Sequence, residues 1–167
     1  MILGALVIVT AGYFVFKGAG RASTSSERPE TSQEGTAAAM TSMLDQLPND
    51  YATLVSMGNQ FMDERNFTVA AEIYRRALSI DGTSPDVRTD YGACLHGMGL
   101  AEQALQEFSQ VVRNHPEHSV AHYNLAIVYN ELGQIDSARY YWQTFLDLEP
   151  DGRGSDAARQ YLKGLEG

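Results

Sequence analysis

The sequence predicts an all-α fold: an α-solenoid of three helix–turn–helix units plus a C-terminal capping helix, preceded by an N-terminal transmembrane helix. The solenoid rests on a period of 34 residues and on two amphipathic stretches within each period. The remainder rests on an uneven spread of apolar residues. Met1 to Phe16 is almost wholly apolar, residues 18–36 hold hardly any large apolar side chain, and the amphipathic pattern starts near Met40.

Residues 1–20 read as a membrane anchor. A spanning helix needs about 17–25 residues, a length this run reaches when Lys17 snorkels and Gly18, Ala19 and Gly20 sit in the interface. Tyr13, Phe14 and Phe16 beside Lys17 suit a membrane boundary. A cleaved secretory signal is the rival reading, with Gly18-Ala19-Gly20 as the cleavage site. Such a signal carries a basic stretch ahead of its apolar core, and here the core begins at Met1. Lys17, Arg21 and Arg28 follow the run, so the positive-inside rule predicts a single-pass protein with its repeats in the cytoplasm. A periplasmic or lumenal domain is the alternative.

Residues 21–39 form a linker. Its Ser, Thr, Glu and Pro content offers too little apolar area to offset the entropy of ordering the chain. Met40, Met43, Leu44 and Leu47 then recur at helical spacing, which predicts a short amphipathic helix over 40–47, ended by Pro48. It reads as a cover for the first unit, with a docking motif as the alternative.

The repeats occupy 48–152, in units 51–84, 85–118 and 119–152. Ala70, Ala104 and Ala138 lie 34 apart, as do Tyr74, Phe108 and Trp142, and Gly58, Gly92 and Ala126, and Phe61, Leu95 and Tyr129. Small residues let paired helices approach, and the aromatics fill the space between units. The spacing predicts helices over 50–63, 67–80, 85–97, 101–113, 118–131 and 135–148. Gly99 and Gly133 separate the paired helices. Ser84-Pro85-Asp86 has the chemistry of a helix start. Ser155 is expected to cap a seventh helix over 155–165, within a capping segment 153–167, whose Ala158, Tyr161, Leu162 and Leu165 cover the last unit.

These residues resemble the tetratricopeptide repeat family, whose pattern runs Trp-x2-Leu-Gly-x2-Tyr, then Ala-x3-Phe, then Pro. The departures are Leu54, Arg88 and His122 at the leading tryptophan position, and Val111 and Phe145 at a second-helix alanine. The resemblance implies a right-handed solenoid whose concave face, lined by the first helix of each unit, holds a peptide or helix of a protein partner. The groove positions it implies are Val55, Asn59, Met62 and Asp63, then Thr89, Asp90, Ala93 and His96, then Tyr123, Asn124, Ile127 and Asn130. Family members that bind chaperone tails clamp carboxylates with Lys, Arg and Asn. Only Asn59 fits that set, since Val55, Asp90, Val120 and Asn124 hold the other places. The architecture is similar to that of bacterial inner-membrane repeat proteins that assist envelope or respiratory-complex assembly. It is also similar to a group with periplasmic repeats.

The formal net charge of −9 argues against nucleic-acid binding and favours a neutral or basic protein partner. Asp63 and Asp90 would favour a basic group. Cys94 is the one cysteine, so no intrachain disulfide or cysteine-based zinc site forms. His115, His118 and His122 lie close together, but no carboxylate is obviously placed to complete a metal site. No phosphate-binding glycine loop, paired catalytic carboxylates or nucleophile motif is present. The expectation is a non-catalytic scaffold without cofactor or metal. The alternatives are a structural subunit of a membrane complex and a secreted binding module.

Overall fold

The computed structural model describes Ser42 and residues 46–165. Within them the chain forms seven helices: α1 (Tyr51–Asp63), α2 (Phe67–Ile80), α3 (Pro85–Gly97), α4 (Ala101–Asn114), α5 (Ser119–Glu131), α6 (Ile135–Leu148) and α7 (Ser155–Gly164). The expected anchor, the linker, and Met40, Met43 and Leu44 of the short helix lie outside the described residues. Among the described residues no helix is long and apolar enough to cross a membrane. Leu47 is buried and joins the core beneath the first unit.

The helix starts follow local chemistry. Asp50 accepts the Thr53 N–H at 2.8 Å to cap α1, and Ser84 accepts the Val87 N–H at 3.3 Å to cap α3, with Pro85 in the first turn. His118 caps α5, its Nδ1 accepting the Ala121 N–H at 3.2 Å. The expected cap of the seventh helix is corrected. Ser155 is the first residue of α7, not its cap, and that role falls to Gly154 at φ 94°. The buried Ser155 hydroxyl instead donates to the Glu149 carbonyl at 2.6 Å, tying α7 back to the end of α6.

The turns inside the units repeat one hydrogen-bond pattern. Asn66, Leu100 and Gln134 donate N–H to Phe61, Leu95 and Tyr129 at 2.8, 2.9 and 2.9 Å. The preceding residues, Arg65, Gly99 and Gly133, bond to Met62, His96 and Asn130. This is the Schellman motif, which places one residue in the left-handed region. Gly99 and Gly133 take φ 78° and 69° freely, whereas the first unit places Arg65 there at φ 59°.

Paired helices pack within each unit and successive units stack, and α3 also touches α5. First helices therefore form one layer and second helices the other. A Cβ on Gly58 would lie 2.5 Å from the Tyr74 ring, and one on Gly92 would lie 2.6 Å from Phe108. The third unit holds Ala126 with Trp142. Trp142 is 5% exposed and shares a core with Phe145 and Ala158 of α7. Tyr161 of α7 lies 5.8 Å from it, so α7 covers the last unit.

The leading position of each unit faces a fixed position on the second helix. In the first unit Leu54 and Ile73 lie in one apolar core. In the second, Arg88 bonds Glu107 at 2.7 Å, with side chains 18% and 22% exposed. In the third, His122 lies 5.7 Å from the Tyr141 ring and donates from Nε2 to the Pro116 carbonyl at 2.9 Å.

Candidate partner-binding face

The layer formed by α1, α3 and α5 carries the twelve residues implied by the resemblance, and their roles differ. On α1, Asn59 accepts the Tyr74 hydroxyl at 2.7 Å, and the Met62 sulfur lies 3.7 Å from that oxygen. Tyr74 is buried, and burial first, then the charge of Asp90, pushes its phenol well above the usual range. Val55 and Met62 are half-buried against the first core, and Asp63 is exposed.

On α3, Thr89 does not line a surface. It is 2% exposed and its hydroxyl donates to the Pro85 carbonyl of its own helix at 2.8 Å. Ala93 packs against the second core. His96 reaches across to Glu131 of α5 at 2.6 Å. Asp90 is half-buried and makes no hydrogen bond or ion pair among the described residues. Burial, then Asp86, raises its carboxyl to about 6, against a lowering by His118. Cys94, one turn on, is buried, and burial with Asp90 pushes its thiol up to about 12, far from a reactive thiolate.

On α5, Tyr123 stands edge-on to Trp142 at 5.0 Å and to Phe145 at 5.1 Å. Ile127 packs on the same core, Asn124 is half-buried, and Asn130 is exposed. Tyr123 and Asn124 line a cleft of about 290 Å³ with Val120, Phe145, Arg153 and Gly154. Val120, 53% exposed, forms its rim. Sequence reasoning missed this cleft, because Arg153 and Gly154 reach α5 only through the turn into α7. The one signal was Gly154 itself, where a Cβ would meet the Tyr123 ring at 2.6 Å.

The clustered histidines serve the fold. His118 spans from its cap to Asp86 at 3.0 Å, His122 holds the Pro116 carbonyl, and His115 lies 3.9 Å from Glu117.

The profile of the tetratricopeptide repeat matches residues 61–116 and 98–163. The chain belongs to the tetratricopeptide repeat family. Among relatives, it is 32% identical over 91 residues to the TPR repeat-containing thioredoxin TTL4 of Arabidopsis thaliana, covering 54% of this chain and 13% of that protein. The chain thus spans a small part of that relative's length. Two solved TPR-fold structures resemble it. One is PcrH from Pseudomonas aeruginosa in complex with the chaperone binding region of PopD, with TM-score 0.65, 21% identity, and coverage of 72% of this chain and 95% of that one. The other is the first TPR of Spaghetti (RPAP3) bound to the HSP90 peptide SRMEEVD, with TM-score 0.64, 16% identity, and coverage of 70% and 94%. At these identities the structures show a shared fold. TPR domains mediate protein–protein interaction, and these two neighbours bind peptide segments.

Proposed function

We propose that this TPR protein is a non-catalytic scaffold, tethered to a membrane by residues 1–20, that holds a peptide or helix of a partner on the α1–α3–α5 face and so assists assembly of a membrane or envelope complex. The observation that carries the partner reading is the α5 cleft: an apolar hollow beside Asn124, on the α1–α3–α5 layer that the family resemblance implies as the partner face. Asn side chains offer both a donor and an acceptor to an extended backbone. The membrane reading is supported by the apolar run Met1–Phe16, and the cytoplasmic placement of the repeats by Lys17, Arg21 and Arg28.

The test is affinity capture from detergent-solubilised membranes with full-length tagged protein. It runs beside a groove variant, Val120→Gln with Asn124→Ala, whose fold is checked by its melting curve. A partner retained by the wild type and lost by the variant supports the reading. Equal retention by both moves the contact elsewhere. Recovery of the wild-type chain in the soluble fraction rejects the tether.

A further inference from the structure

We propose that the groove is selective for a cationic peptide, one whose lysine or arginine meets Asp90 while a nearby large apolar residue fills the Tyr123–Phe145 cleft. This rests on the groove being a peptide site, as proposed above, and adds the chemistry of the peptide.

The first observation is how charge is sorted. The helices α1, α3 and α5 carry Asp63, Asp86, Asp90 and Glu131, no lysine and a single arginine. That arginine, Arg88, is turned away from the groove and held by Glu107. Two of the four carboxylates are also engaged, Asp86 by His118 and Glu131 by His96. Asp63 is exposed to solvent. Asp90 is different: it is half-buried, and among the described residues no donor reaches it. A carboxylate taken partly out of water without a partner is costly, and an arriving ammonium or guanidinium relieves that cost. The groups that face it are Asp86 and Cys94 on its own helix, Tyr74 of α2 and His118 at the head of α5. Among these His118 alone can turn cationic, and its Nε2 is already on Asp86.

The second observation is the apolar cleft on the adjoining helix. Its volume of about 290 Å³ and its walls of Tyr123, Phe145 and Val120 suit a leucine- or phenylalanine-sized side chain. Arg153, in the turn before α7, also lines the cleft and repels a second cation there, which favours a basic residue of the peptide placed at α3. A cation on one side and an apolar side chain on the other fix a register that neither contact fixes alone.

The test is to pan a random dodecapeptide phage library on the full-length chain in detergent micelles, with Asp90→Asn, Asp136→Asn and the Val120→Gln, Asn124→Ala variant in parallel. Asp136 lies on α6 with its side chain 98% exposed and serves as the charge control. The expected pool is rich in lysine or arginine at a fixed distance from a large apolar residue. A representative peptide then binds Asp90→Asn about tenfold more weakly, equivalent to about 1.4 kcal/mol, and Asp136→Asn unchanged. In an Asp90→Lys protein the selection turns to acidic residues. Peptides that depend on Val120 and Asn124 yet lack basic residues, or bind Asp90→Asn as tightly as wild type, overturn the cationic preference and leave the groove in place. A pool indifferent to the groove variant overturns the groove and the preference together. Asp90→Asn removes a half-buried charge, so its fold is not at risk.

Discussion

The second and third repeats solve one packing problem with different chemistry. Where the first unit has Leu54 and Ile73, the second has Arg88 with Glu107 at 2.7 Å and the third has His122 against Tyr141 at 5.7 Å. The helices keep the same lengths and the turns keep the same hydrogen bonds throughout. The pair is therefore free to change as long as both members change together. What stays constant is the close helix approach and the left-handed turn residue. An apolar pair, an ion pair and an aromatic pair each fit the same space, although His122 Nδ1 is left buried without a hydrogen-bond partner among the described residues, so the solenoid requires complementary shape at that place and not a particular side chain.

Removing the largest ring should show what is not interchangeable. Trp142→Ala is expected to cost about 3–5 kcal/mol in chemical denaturation, since the ring is 5% exposed. Trp142→Phe borrows the ring of the second unit and removes a buried indole N–H that has no partner among the described residues. It should cost less than half as much, and equal losses for the two variants would refute the ring-for-ring comparison.

The ion pair gives the next largest effect. Arg88→Leu strands Glu107 in a mostly buried position and should cost about 1–3 kcal/mol. Arg88→Leu with Glu107→Ile rebuilds the pair of the first unit and should return to within about 1 kcal/mol of wild type. If the two losses simply add, the members are not coupled.

Asp90 tests the α1–α3–α5 layer by pH. Its folded carboxyl titrates near 6, above its ordinary value, so protonation favours the folded state. That contribution is complete below the unfolded value of about 4 and is lost as pH rises through about 6. Asp90→Asn is thus expected to raise the melting midpoint at about pH 7.5, with the gain fading by about pH 4. A pH-independent difference would point to a cause other than the carboxyl.

The smallest effect belongs to the turn. Arg65 sits at φ 59° where the other units have glycine. Arg65→Gly should stabilise by up to about 1 kcal/mol, reduced by loss of the Arg65 stack on Phe67 and by the greater freedom of unfolded glycine. A lower melting midpoint would mean those losses prevail.

Much of the fold was legible in the residues. Helix bounds follow from caps and turn residues that act over a few positions: Ser84 and Pro85 start α3, and Gly99 and Gly133 end α3 and α5. The 34-residue spacing of Gly58 and Gly92 with Tyr74 and Phe108 encodes the close approach of helices directly. The candidate partner face was less legible. Thr89 and Asp90 are neighbours in sequence, but a helix turns about 100° per residue. One is therefore buried against its own helix's backbone while the other stays half-exposed on the α1–α3–α5 layer.

Period, helix bounds and turn geometry are local properties, set by caps, glycine and side-chain spacing, and so are readable along the chain. The use of each surface residue is not local. Asn59 is occupied by a hydroxyl fifteen residues away, Asp90 finds no hydrogen-bond partner among the described residues while Arg88, two positions earlier, is held by Glu107, and Ser155 anchors to Glu149 in place of capping its helix. The α5 cleft exists because the turn before α7 brings Arg153 and Gly154 against Tyr123. Hydrogen bonds and voids depend on which atoms meet after the helices stack, and that meeting is decided by the tertiary structure.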